Sequence, residues 1–306
     1  MSNVLVSERV RAAWSRWLPL TRERCHQQYV VEGGDLVTHI QVCQDAAGAT
    51  AARIARDIVE ARPQRILDIG CSVGFNAFAL KKQFPEASVV GIEPDHEALC
   101  VAEAMREGCV PGEIEFVRGV GEELPFMDGY FDLIVSHTVI EHVGDVPRSI
   151  REMSRVLASD GIIHLEAPNY IWPWEPHLGI IMPPLCPKPL IRAFARLQRR
   201  GGRAHYVSHL NLVYPRLLER LFLENGLTWS NRVEQKVRSA ISGDLRDVRA
   251  YQAAAGVLAL LPTRLIGESM VKIILKLKLY PSLLYTLRRK LSVHVQRDDC
   301  GQTSHA

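Results

Sequence analysis

The stretch that most constrains this chain is RILDIGCSVGFNA, residues 65–77. A short apolar run, 65–69, breaks at Gly70, and residues 76–83 continue with helical spacing. A strand that enters a helix through a turn with glycines at 70 and 74 is free to take positive φ there. It also lets a ligand approach where a Cβ would otherwise stand. Beyond this turn the pattern alternates. Strands are expected at 88–92, 114–117, 131–136 and 162–166, and helices at 96–106 and 146–157. Strands alternating with helices imply right-handed crossovers and a parallel sheet covered on both faces, a doubly wound α/β domain.

The flanks read differently. Residues 7–18 and 35–61 are expected to be helical and to form an N-terminal cap over residues 1–60, ahead of a core spanning 61–235. Between 168 and 189 the seven prolines, with Trp172 and Trp174, argue for a packed loop without regular structure. Helices are expected at 189–200 and 215–225, with Gly226 closing the second, and 227–233 is a candidate sixth strand. Residues 236–290 read as a basic, apolar helical insertion. The alternating 291–296 is expected to be the seventh strand, within a terminal unit 291–306.

Charge divides the chain. Residues 1–187 carry 16 Lys and Arg against 26 Asp and Glu, whereas 188–290 carry 20 against 6. A second half this basic points to an anionic partner, a membrane surface or a phosphorylated molecule. Seven cysteines without a CxxC pair argue for a reducing compartment rather than a disulfide framework. The N-terminal residues flank every short apolar run with charge, so no signal peptide is expected, and no uncharged run reaches the ~18 residues of a membrane span. The expectation is a cytoplasmic protein, with peripheral contact at the inner face of the membrane.

DIGCSVG, then GIEPD, then VGEELPFMDGYFDLIVSHTVIEHV and RVLASDGIIHLEAPN occur in that order over about residues 55–170. These motifs resemble those of class I S-adenosylmethionine (SAM)-dependent methyltransferases, in particular the methyltransferase type 11 subgroup that includes enzymes of quinone biosynthesis. The resemblance implies a seven-stranded Rossmann-like sheet with SAM as cofactor. It implies that Asp68, Gly70, Cys71 and Gly74 surround the methionine part, that Glu93 with Pro94 holds the ribose, that Gly121 and Glu122 lie near the adenine, and that Ser136 and His137 lie beside the sulfonium. A carboxylate about 20 residues past the glycine turn can also accept both ribose hydroxyls on purely physical grounds. The chain departs from the subgroup at Ser72, where Gly is usual, and at Val120, where Asp is usual.

For the chemistry, His142, Glu141 and His177 are the candidate catalytic residues, because imidazole titrates where a general base must. The alternative is that His142 caps a helix and that His177 packs within the Trp-Pro loop. Some quinone-biosynthesis relatives carry E-x-x-E-H at this place, a constellation associated with a divalent metal. Here Thr138 replaces the first carboxylate, and no metal is expected. The apolar, Lys-rich 253–290 is either a lid or a membrane-facing element, and no nucleic-acid motif is present. The expected function is SAM-dependent methylation of a small-molecule acceptor, at the oxygen of an apolar, lipid-linked, glycan or specialised-metabolite substrate. The alternatives are C- or N-methylation, or a SAM-binding subunit without catalysis.

Overall fold

A computed structural model of the chain describes residues 6–25, 35–59, 61–109, 114–241 and 268–290. Five strands pair in parallel: β1 (Arg65–Ile69), β2 (Ser88–Glu93), β3 (Ile114–Arg118), β4 (Phe131–His137) and β5 (Leu157–Pro168). A β6–β7 hairpin (Trp174–Glu175, Ile180–Ile181) stands apart, and β8 (Leu227–Asn231) and β9 (Ser282–Arg289) complete the main sheet. The seven strands run in the order β3-β2-β1-β4-β5-β9-β8, with β9 antiparallel to both neighbours. This is the expected doubly wound α/β architecture.

Helices α3 (Phe75–Gln83), α4 (His96–Cys109) and α5 (Val146–Val156) make the crossovers. Their starts follow from local chemistry. Gly74 takes φ 88° at the head of α3, and Asp145 caps α5 by accepting the Arg148 amide at 2.9 Å. The N-terminal cap consists of α1 (Glu8–Cys25), packed on α4, and α2 (Leu36–Asp57), packed on α3. Beyond β5 come α6 (Lys188–Leu197), a 3-10 helix (Gly201–His209), α7 (Pro215–Glu224), α8 (Val233–Ile241) and α9 (Glu268–Lys276). One core lies under α5, α7 and this C-terminal layer, and the other cores lie under α1 to α4.

Two expectations are corrected. The described sheet reaches seven strands with β9, where a helical insertion was expected, and the expected strand 291–296 lies outside the described residues. SLLYTL is buried on both faces, so it shows no alternation and reads from sequence like the helices before it. The insertion therefore ends before Ser282. The proline-rich loop also holds regular structure, the short β6–β7 hairpin, because its prolines fall outside the paired residues. Of the apolar 253–290 stretch, 253–267 lies outside the described residues, and α9 buries Val271 against the core.

The termini of the fold are tied to the sheet by a buried ionic cluster. Glu166 on β5 accepts from Arg53 of α2 at 2.6 Å and from Lys236 of α8. Burial alone would raise the Glu166 carboxyl, but Lys236 and Arg53 hold it well below the usual carboxylate range. Alongside, the His164 ring bonds Asp57 at 2.9 Å and His137 at 2.8 Å. Replacing Glu166 by Gln leaves two buried cations without a counter-charge, which should cost about 3–5 kcal/mol of unfolding free energy. Urea unfolding at neutral pH checks this; a loss under about 1 kcal/mol would place the tie elsewhere.

Candidate active site

A cavity of about 650 Å³ opens at the carboxyl ends of β1, β2 and β4. It lies where the strand order reverses, because the chain leaves β1 and β4 toward opposite sides of the sheet. Gly70 lines it at φ 67°, in the turn that follows β1. A Cβ added there would stand 2.5 Å from Val139 Cγ2, so no larger residue fits between the two loops. Glu93, at the end of β2, also lines the cavity. Its carboxylate is fixed by accepting the Ser72 and Asp95 amides, each at 3.0 Å. Burial raises its pKa, and those two amide bonds oppose the rise. Just before the turn, Asp68 is buried with Oδ2 unpartnered, and burial together with the charge of Glu93 pushes its carboxyl up to about 8.

The far side of the cavity is formed by the turn after β4 and by the 3-10 helix, which contribute Thr138, His142 and Tyr206. Asn211 clamps this turn, its amide donating to the Glu141 carbonyl at 2.7 Å and its side chain to the Val143 carbonyl at 2.6 Å. His177 comes from the hairpin turn between β6 and β7, and its ring meets His142 edge-on with centroids 5.0 Å apart. Glu175 organises that turn. It takes the His177 ring Nδ1 at 2.6 Å and the His177 and Leu178 amides at 3.1 and 2.5 Å. Burial disfavours a charged His177, but Glu175 outweighs it and raises the ring's pKa. His142 moves the other way, to about 3, through burial and the neighbouring His177, so it is a neutral imidazole. Glu141 is fully buried, burial raises it to about 7, and neither carboxylate oxygen has a hydrogen-bond partner.

The structure therefore brings Gly70, Glu93, Pro94, Gly121, Glu122 and His142 to the cavity wall, with Glu141 and His177 directly behind His142. Asp68, Cys71, Gly74 and Ser136 lie beneath or beside it without lining it. Glu122 is partly committed elsewhere, since its carboxylate holds the Gly144 and Asp145 amides at the start of α5. His137 is the clear departure: its ring is buried in the Asp57–His164–Glu166 cluster, away from the cavity lining. Successive strand residues point to opposite faces, so Ser136 and His137 could not both face one ligand. Sequence reading missed Glu175, Tyr206 and Trp17, which also lines the cavity. The signal for Glu175 was a lone acid two residues before His177 in an apolar loop; the other two carried none.

A family model described as "Methyltransferase domain" matches residues 67–165. Among curated proteins, the ajmaline N-methyltransferase of Rauvolfia serpentina is 29% identical, aligning 48% of this chain with 52% of its own length. The demethylmenaquinone methyltransferase of Thermotoga maritima is 30% identical over 42% of this chain and 59% of its own. The chain thus spans little more than half the length of these relatives. Among solved structures, a Haemonchus contortus phosphoethanolamine N-methyltransferase 2 in complex with SAM matches with a TM-score of 0.50 and 16% identity, over 80% of this chain and 53% of that one. Residues 67–165 therefore carry a methyltransferase domain of the class I, SAM-dependent kind, and SAM is the cofactor of that domain.

The residues present fit this cofactor. The glycine turn leaves room for it, Glu93 offers a fixed carboxylate for ribose hydroxyls, and the orphaned Asp68 oxygen beside a second acid suits a cationic ligand. A cation favours ionised Asp68, so SAM affinity should rise with pH by up to about tenfold per unit below about pH 8 and level off above it. Asp68→Asn should remove that rise relative to wild type and weaken binding. Calorimetric titration across pH checks both; parallel pH profiles for the two proteins would take Asp68 out of the site.

Proposed function

We propose that this chain transfers the methyl group of SAM to an oxygen of a small, largely apolar acceptor. The observation that carries this reading is a single cavity bordered by Glu93 on one side and by His142 and Tyr206 on the other. Cofactor and acceptor can then lie end to end, and in-line displacement draws most of its rate from such placement. Val139 and Val143, in the turn that carries His142, line the wall, which supports an apolar acceptor. Glu93 holds the donor with Asp68 beneath it, and His142, backed by His177, receives the acceptor at the carboxyl edge of the sheet. The acceptor O–H gives up its proton to solvent, the C–O bond forms as the S–CH3 bond breaks, and the electron pair returns to sulfur, leaving a neutral thioether. The name of the Rauvolfia relative supports a second reading with nitrogen as the acceptor atom.

Exposed Ile273 and Leu277 beside Lys272 and Lys276 on and just after α9 support a peripheral lipid contact within 253–290. No helix among the described residues is long and apolar enough to cross a membrane. The test uses methyl-labelled SAM, the purified protein and host extract split into aqueous and organic phases. Label in the organic phase is expected, and mass spectrometry of the product gives the methylated atom. Label confined to the aqueous phase would replace the apolar acceptor with a polar one. No label in either, with SAM bound, would favour a SAM-binding subunit without catalysis.

A further inference from the structure

We propose that Glu141, His142 and His177 form a binding site for a divalent first-row transition cation of the zinc type. One donor atom from each residue lies within 4.8 Å of the others, and His142 Nε2 stands 3.8 Å from Glu141 Oε1. The independent sign of a ligand is Glu141 itself. Its side chain is wholly buried and both carboxylate oxygens lack a hydrogen-bond partner among the described residues, an arrangement that a bare protein tolerates poorly and a bound cation satisfies.

The outer shell agrees. Metal-ligating histidines commonly give their second ring nitrogen to a carboxylate, which fixes tautomer and ring plane. His177 has this arrangement: Nδ1 meets Glu175 at 2.6 Å, which leaves Nε2 as the nitrogen for a metal, and Glu175 is itself fully buried and accepts two backbone amides. The His142 Nδ1 faces the Tyr206 hydroxyl at 3.4 Å, again leaving Nε2 on the side of Glu141.

Both supporting turns are held in place, one by Asn211 and the other by Glu175, so the donors are preorganised. Three protein ligands would leave a coordination position open to an exogenous ligand, and of the three His142 borders the cavity. Two imidazoles and one carboxylate select zinc, cobalt or iron over magnesium or calcium, which take oxygen sets. Thr138 lies in the same turn, but its hydroxyl is turned to the His137 carbonyl at 2.7 Å, and the third donor comes instead from a loop 35 residues downstream of His142.

The chemistry such an ion supplies is polarisation of an acceptor oxygen. That role rests on the methyl-transfer reading; the site itself does not.

The test is direct binding to the untagged, chelator-stripped full chain, read by the ligand-field absorption of Co2+ and by Zn2+ calorimetry, with SAM binding measured on the same samples. One equivalent of Co2+ is expected, with paramagnetic shifts on the His142 and His177 ring protons of the wild-type protein, displaced by Zn2+. His177→Ala should lose the Co2+ spectrum while still binding SAM, and Glu175→Gln should weaken Zn2+ by about 10–100-fold. If His177→Ala fails to fold, the ring-proton shifts of the wild type decide alone. Wild type that binds SAM but no stoichiometric Co2+ or Zn2+ overturns the site and leaves the methyltransferase reading intact. Metal binding unchanged in His177→Ala, or bound without shifts on these two rings, equally overturns it.

Discussion

The reversal of strand order between β1 and β4 governs everything else in this molecule. The chain leaves β1 toward β2 and β3, and leaves β4 toward β5, so the connections part and leave a crevice that no side chain of the sheet can fill. Parallel strands all deliver their carboxyl ends to this one edge. Gly70, Glu93, the Thr138–His142 turn and, after β5, the Glu175–His177 turn therefore meet there although they lie far apart in sequence. The glycines of the first turn matter because the crevice is narrow. With Val139 packed where a Cβ at position 70 would stand, the two loops close to a width that only a glycine backbone allows.

Three buried acids show how this fold separates architecture from chemistry. Glu166 is compensated by Arg53 and Lys236, which bind α2 and α8 to β5, and its carboxyl is held low. Among the described residues Asp68 and Glu141 have no such Lys or Arg, and burial drives both upward, to about 8 and about 7. All three are costly to bury, yet only the one far from the cavity has been neutralised from within the chain. The other two adjoin residues that line the cavity, where an external cationic group can complete them. Burial and charge thus distinguish the acid that secures the fold from the two that the proposed ligands would complete.

Legibility in the sequence followed the same physics. The parallel strands and their crossovers could be read because each strand is a short apolar run bounded by a turn, and the glycine spacing at 70 and 74 fixed where the site begins. β9 could not be read as a strand, since a run buried on both faces has no period to betray it. Glu93 was legible from its distance along a repeating unit. His137 was misplaced because proximity in sequence to Ser136 says nothing about the face a strand residue takes. The partnership of Glu141 with His177 was invisible for a different reason: it arises only when a hairpin after β5 folds back on the turn after β4, a contact with no local signature.

This distribution explains why relatives speak clearly for the cofactor and not for the acceptor. The shared domain ends at residue 165, and within it lie the glycine turn, Glu93 and the loop that carries His142. Trp17, His177 and Tyr206 all lie outside it. Trp17 from α1 and Tyr206 from the layer that follows β5 line the cavity, and His177 stands behind His142. Closing a site expels water and strengthens every charge interaction within it, which is where a sulfonium donor and a deprotonated acceptor gain most. Gly70, Glu93 and His142 thus reach the cavity from the common domain, and Trp17 and Tyr206 reach it from segments outside that domain. On the proposed methyl-transfer reading an acceptor meets Tyr206 of the 3-10 helix, outside the methyltransferase motifs.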